Sequence, residues 1–304
     1  MTNVMTKSPA ELLKQKDLFD SYNRQSPCPL SAFSFVQVFL WQDFFDFEFK
    51  VIDDHLCVLA RHDVGSFFYL PPLGTGLGSC LVEQCFQELR QTNSKKKVAR
   101  IENVPLNQLS LFSSEKYEVY RKGYEYLYHK QSLIDLEGNP YKSKRSDYNH
   151  FAKNYNHRFE IFNSSMKAEC LELFDQWAQG RRKKHADEIY QHMLNENRQV
   201  HELAMTHAKE LDLVGRVVTI DGEIKGYTFG YALNKDIFCV LFEVADLDCK
   251  GLPVFMFREF CKDEVCQKFT LINAMDDFEM ENVAQAKLSF RPAAFSPMYT
   301  ISEK

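Results

Sequence analysis

The sequence predicts an α/β protein of two related subdomains, and three observations carry that reading. Short apolar runs with strand character are interleaved with longer stretches whose apolar residues recur at the helical period. The order hairpin, strand, helix, strand occurs twice. The 304 residues, 45% hydrophobic and 14% aromatic, supply material for one large domain or two ordinary ones. The expected division falls between residues 1–122 and 123–304, each half holding a mixed sheet flanked by helices.

Taken in order, Ser8 followed by Pro9, Ala10 and Glu11 is a capping box with proline at the first helical position, so a helix should run to about Tyr22. Residues 23–30 form a turn-rich connector. Over 31–46, Phe33, Phe35, Val36, Phe39, Leu40, Phe44 and Phe45 recur near a helical period and predict a second helix. Residues 47–52 and 56–60 read as a hairpin around Asp53-Asp54, and 66–70 as a third strand. Pro71-Pro72 and Gly74-Thr75-Gly76-Leu77-Gly78 then open a helix over 79–90, and 98–101 return to strand. The second copy runs from a hairpin of 215–220 and 225–233 around Asp221-Gly222, through a strand at 237–244 and a helix at 251–262, to a strand at 269–273. Between the copies lie a strand at 125–128, a basic loop, a strand at 158–162 and two helices. The first, 166–179, has Leu171, Phe174, Trp177 and Ala178 on one face; the second, 190–211, is favoured at its start by Asp187-Glu188.

Composition narrows the function classes. With 37 Lys plus Arg against 42 Asp plus Glu, the net charge of -5 gives no overall positive field, so a nucleic-acid or lipid partner must be held by a local patch. The nine cysteines are scattered, odd in number and mostly set in apolar runs, without a CxxC pair or Cys/His metal spacing. This predicts reduced thiols in the cytoplasm, and neither a disulfide framework nor a metal site. The first twenty residues lack a signal-peptide core, and no apolar run approaches the roughly 20 residues that span a bilayer.

Four constellations are candidates for chemistry. The segment 141–151 concentrates Lys142, Lys144 and Arg145 beside Tyr148 and Asn149, just after a Gly138-Asn139-Pro140 turn. Cations at a helix start suit a phosphate or nucleic-acid backbone, and equally a solvated helix end. A second run, Arg181-Arg182-Lys183-Lys184-His185, stands where a helix should end and cations offset its dipole. Glu243 closes an apolar strand and Asp276-Asp277 follow another. All three acids are candidates for the rim of one sheet, to bind an amine or act as general base; one of the two aspartates alternatively caps a helix over 278–286. Gly74-x-Gly76-x-Gly78 lacks the full spacing of a phosphate loop and reads as conformational.

Tyr126-x-Tyr128, then Ser132-Leu133-Ile134-Asp135-Leu136-Glu137-Gly138-x-x-Tyr141-x-x-Lys144-Arg145, and finally Ala286-Lys287-Leu288-Ser289-Phe290-Arg291-Pro292 resemble the C-terminal domain of phosphatidylglycerol lysyltransferases. Asp221-Gly222-x-x-x-Gly226, Glu243-x-Ala245-Asp246 with Lys250-Gly251, and Asn273-x-x-Asp276-Asp277 fall between them in that family's order. The resemblance implies a tandem GNAT-like acyltransferase fold with a degenerate first copy. It also implies transfer of an aminoacyl group from charged tRNA to an acceptor, without a metal or tightly bound cofactor. Under it, Glu243, Asp276 and Asp277 become the catalytic candidates, and Lys142, Lys144, Arg145, Tyr148, Asn149, Lys287 and Arg291 bind donor or substrate.

Members of the familiar kind carry a membrane-embedded segment that this sequence lacks, which leaves both a lipid and a small-molecule acceptor open. Lys250-Gly251-Leu252-Pro253-Val254 stands where the usual acetyl-CoA pyrophosphate loop would be. Two alternatives remain: an acyl-CoA-dependent N-acyltransferase acting on a small amine, and a non-catalytic binding module on the same fold.

Overall fold

The computed structural model describes residues 8–93, 98–183 and 188–304 and divides into two compact units. The first takes the residues up to Tyr126 with Asp276–Met280 and Phe295–Lys304. The second takes Leu127–Met275 and Glu281–Ala294.

In the first unit, Ser8 Oγ accepts from the Glu11 N–H and the Glu11 carboxylate accepts from the Ser8 N–H, closing the capping box over α1 (Pro9–Leu13). The single helix expected to residue 22 is two. The Gln15 N–H bonds back to Leu12 at 2.9 Å, a tighter turn that separates α1 from α2 (Lys16–Asn23). The helix expected over 31–46 spans only α3 (Phe35–Leu40), capped by Ser34. Every residue of α3 is buried, so its aromatics mark a segment covered on all sides rather than an amphipathic stripe.

β1 (Asp46–Ile52) and β2 (His55–His62) make the expected hairpin, with Asp53 and Asp54 both left-handed, the conformation whose twist matches the strands. β3 (Gly65–Phe68) is joined through α4 (Ser79–Thr92) to its parallel neighbour β4 (Arg100–Pro105). Gly74 and Gly76 have φ of 139° and 76° ahead of α4, the conformational role expected of them. Residues 117–126 of β5 (Tyr117–His129) and the last strand, β11 (Ala294–Glu303), complete the order β1-β2-β3-β4-β11-β5. The core gathers Val82, Phe86 and Leu89 of α4 against Leu59, Phe68, Ile101 and Ile301. Cys80 is exposed, unlike most of the cysteines.

The second unit continues with residues 127–129 of β5, then α5 (Lys130–Asp135), α6 (Lys142–Asn154), β6 (His157–Ile161), α7 (Lys167–Arg182) and α8 (Glu188–Thr206). Asp187, expected at the start of α8, lies outside the described residues. There follow β7 (Val214–Ile220), β8 (Glu223–Ala232), β9 (Ile237–Ala245), α9 (Leu252–Lys262), β10 (Leu271–Asn273) and α10 (Glu281–Leu288), with strand order β5-β10-β9-β8-β7-β6. Hairpin, strand, helix and strand thus recur as β7, β8, β9, α9 and β10, and β9 and β10 are parallel as β3 and β4 are. The basic segment expected as a loop is α6, because Tyr148 and Phe151 pack on Phe255 of α9 and Tyr155, just past the helix, stacks on Phe151. The helix expected over 278–286 begins only at Glu281, since Phe278 and Glu279 take left-handed φ of 52° and 57°. Among the described residues, no helix is long and apolar enough to cross a membrane.

Two irregularities shape this sheet. β10 pairs with β9 only from Ile237↔Leu271 to Cys239↔Asn273, while β9 runs on to Ala245 beside β8. The second half of β9 therefore has an open edge where β10 has ended. Along the other edge, the register steps from Phe229↔Phe242 to Gly230↔Val240, leaving Leu241 as a bulge. Gly230 permits it, because a Cβ there would lie 2.5 Å from the Cys239 carbonyl oxygen.

Candidate active site

Glu243 lies on the unaccompanied half of β9. It is exposed, yet the protein packed around it pushes its carboxyl up to about 8. Solvent reaches the residue, while the protein nearby displaces much of the carboxyl's hydration. The Thr228 hydroxyl and the Lys287 ammonium pull the other way, less strongly. A carboxyl that changes charge near neutrality can both take and return a proton under working conditions.

Lys287 reaches this neighbourhood from the last turn of α10, and its Nζ donates to the Ala274 carbonyl at 2.5 Å. Two phenols hold the turn. Tyr128 donates to the Lys287 carbonyl at 2.9 Å, which also accepts from the Phe290 N–H at 3.0 Å, and Tyr141 donates to the Phe290 carbonyl at 3.1 Å just past the helix end. Burial raises both phenols above their ordinary value, so they stay protonated donors. Arg291 ends the turn in a left-handed conformation, and its charge acts on Tyr141. Lys144 of α6 places its ammonium 4.2 Å from the centre of the Phe290 ring, and burial pulls its pKa down. The motif 286–292 is therefore a helix terminus clamped by tyrosines and capped by a cation on an aromatic face.

The other predicted residues divide by what they touch. Arg145 Nη1 donates to the Leu136 and Gly138 carbonyls, tying α6 to the end of α5. Tyr148 stacks on Phe255, donates to Glu259 at 2.8 Å and carries the Arg258 guanidinium over its ring, so it belongs to the α6–α9 packing. Lys142, Asn149 and Arg291 are exposed. Asp276 and Asp277 pack with the first unit. There, Asp277 accepts from the Tyr126 hydroxyl and from the Glu279 N–H at 3.0 Å, so it caps a turn ahead of α10 rather than the helix itself. Arg181 and Arg182 end α7 as expected; Arg182 donates to Asn195 and Arg181 lies over Trp177. Lys184 and His185 lie outside the described residues. Among the described residues, no group of three or more His, Cys, Asp or Glu gathers as a metal site.

Sequence reasoning missed Tyr128, Tyr141, Phe290 and Thr228 as site residues. The first three stood inside the motifs that carry the family resemblance, which was the available signal. Thr228 had none.

The sequence matches the model of the phosphatidylglycerol lysyltransferase C-terminal family over residues 27–302. No curated protein matches it. Among solved structures, a conserved protein of unknown function from Bacteroides thetaiotaomicron has a TM-score of 0.84 at 22% identity, over 96% of this chain and 97% of that one. L-PGS from Bacillus licheniformis has a TM-score of 0.67 at 12% identity, over 94% and 91%. FemX has 0.65 at 8% identity, over 94% and 95%. At such identities the likeness establishes the fold alone, a mixed α/β fold.

Proposed function

The chain belongs to the phosphatidylglycerol lysyltransferase C-terminal family, and from that premise we propose that it transfers an aminoacyl group from charged tRNA to an acceptor, using the second unit. The observation that carries the reading is Glu243, a carboxyl in the opening beside β9 that is pushed up to about 8 with Lys287 close by. In the proposed step, the acceptor's amine or hydroxyl attacks the ester carbonyl carbon of the charged tRNA while Glu243 takes the nucleophile's proton. The bond from that carbon to the ribose oxygen then breaks, and Glu243 returns the proton to the leaving oxygen. The Lys287 ammonium offsets the negative charge that develops on the carbonyl oxygen. Lys142, Lys144 and Arg291 supply positive charge for the donor's phosphates.

The acyl-CoA alternative calls for a pyrophosphate at the start of α9. At that point Gly251 is packed so tightly on α6 that a Cβ would lie 2.1 Å from the Asp147 carbonyl oxygen, and Pro253 offers no N–H. This favours the tRNA donor.

The test is to incubate the purified chain with each labelled aminoacyl-tRNA and a panel of acceptors that includes phosphatidylglycerol and small amines. Label should move to one acceptor class, and tRNA binding should weaken with rising salt. No transfer with any pair, together with a thermal shift from CoA esters and none from tRNA, would transfer the reading to the alternative.

A further inference from the structure

We propose that Thr228 is the positioning residue for Glu243: its hydroxyl is the donor that holds the carboxylate in its working orientation. The assignment rests on the reading of Glu243 given above. Thr228 and Glu243 are register partners across β8 and β9. Antiparallel partners project from the same face with Cβ atoms about 5 Å apart, within reach of a hydroxyl and a carboxyl. The bulge at Leu241 sets the phase of β9 on this side, so that Glu243 falls opposite Thr228 instead of turning to the other face.

Thr228 is completely buried, and its hydroxyl makes no hydrogen bond of regular geometry. A buried hydroxyl left without a partner destabilises a fold and calls for an explanation in another state of the site. The ionised state of Glu243 provides one. The hydroxyl already lies near enough to favour the charged carboxylate, and a small rotation of Glu243 within the opening completes the bond. The hydroxyl is then satisfied when the carboxyl has given up its proton, which is the form that accepts one from a nucleophile.

The remaining groups around this carboxyl do not perform that task. Lys287, from α10, acts on Glu243 through its charge and spends a donor on the Ala274 carbonyl. Tyr128, from β5, and Cys261, from α9, feel the charge of Glu243, but burial holds both protonated through neutral pH. Thr228 is left as the neutral donor aimed at the carboxyl from the strand alongside.

The experiment is a carbon NMR titration of carboxyl-labelled glutamate in the full chain, with the Glu243 signal identified by its loss in Glu243→Gln. Thr228→Val, which keeps the shape and removes the hydroxyl, should raise the Glu243 midpoint by about one pH unit, the loss of one hydrogen bond to a charged group. Thr228→Ser, which keeps the hydroxyl, should leave it near the parent value. Thr228→Ala serves as a second hydroxyl-free variant should the valine disturb the fold. In the transfer assay the acid limb of the pH profile should move upward by the same amount, with KM unchanged. An elevated Glu243 midpoint that ignores both hydroxyl-free variants overturns the role of Thr228 and leaves the proposed function standing. A Glu243 midpoint near 4.5 in the parent chain overturns both.

Discussion

In the first unit the strand that follows the hairpin, β3, ends at Phe68 beside its parallel partner β4. In the second unit the corresponding strand, β9, is longer and runs past β10 to Ala245. The far edge of β4 is filled by β11, and the inner face of that sheet is closed by apolar side chains from α4. The overrunning half of β9 instead keeps an edge free of β10 and carries Glu243. The same order of elements thus serves as scaffold when the strand after the hairpin is the shorter of the parallel pair, and leaves part of that strand without its parallel partner when it is the longer.

Four substitutions test this contrast between the units. Replacing the fully buried Phe86 by alanine should cost the first unit about 3–5 kcal/mol, read from urea denaturation, while leaving the Glu243 titration where it was. A shift in that titration would show that the contrast between the two units does not hold. Glu243→Gln should lower transfer by roughly 10²-fold or more with the fold intact. The same variant carries a pH signature. Because the carboxyl is raised from its ordinary 4.5 to about 8, its own contribution to stability is fully present below 4.5 and is lost as pH rises towards 8, whereas the glutamine variant should lack that component of the slope. Thermal midpoints across this range decide the matter.

Gly230→Ala drives a Cβ into the Cys239 carbonyl and the Phe238 ring. It should destabilise the chain by about 1–3 kcal/mol, and any folded fraction should show an altered Glu243 midpoint as the bulge shifts. Tyr141→Phe removes one hydroxyl from the clamp on the α10 turn and should cost about 1 kcal/mol. Its clearest readout is faster amide hydrogen exchange across residues 288–291, with the first unit unchanged.

Much of the architecture was legible because its signals are local. Asp53-Asp54 and Asp221-Gly222 marked both hairpins, and Ser8 with Glu11 marked a helix start. What escaped depends on partners distant in sequence. Arg145 looks like a phosphate ligand until Leu136 and Gly138 turn their carbonyls towards it, and Tyr148 looks exposed until α9 packs on it. The tyrosine clamp joins hydroxyls at 128 and 141 to carbonyls at 287 and 290, pairings that no periodicity encodes. β11 was unread for a related reason, since its short alternation gains meaning only from β4.

That strand has a consequence for how the chain comes into being. β11 pairs Met298 with Pro105 and Ser302 with Arg100, so a nascent polypeptide emerges with an early sheet edge still waiting for its closing strand. The whole of the second unit, α10 included, is synthesised in the interval. The younger segment can therefore mature before the older one is sealed, and during translation the bare flank of β4 is the place where a chaperone or an unwanted neighbour would attach.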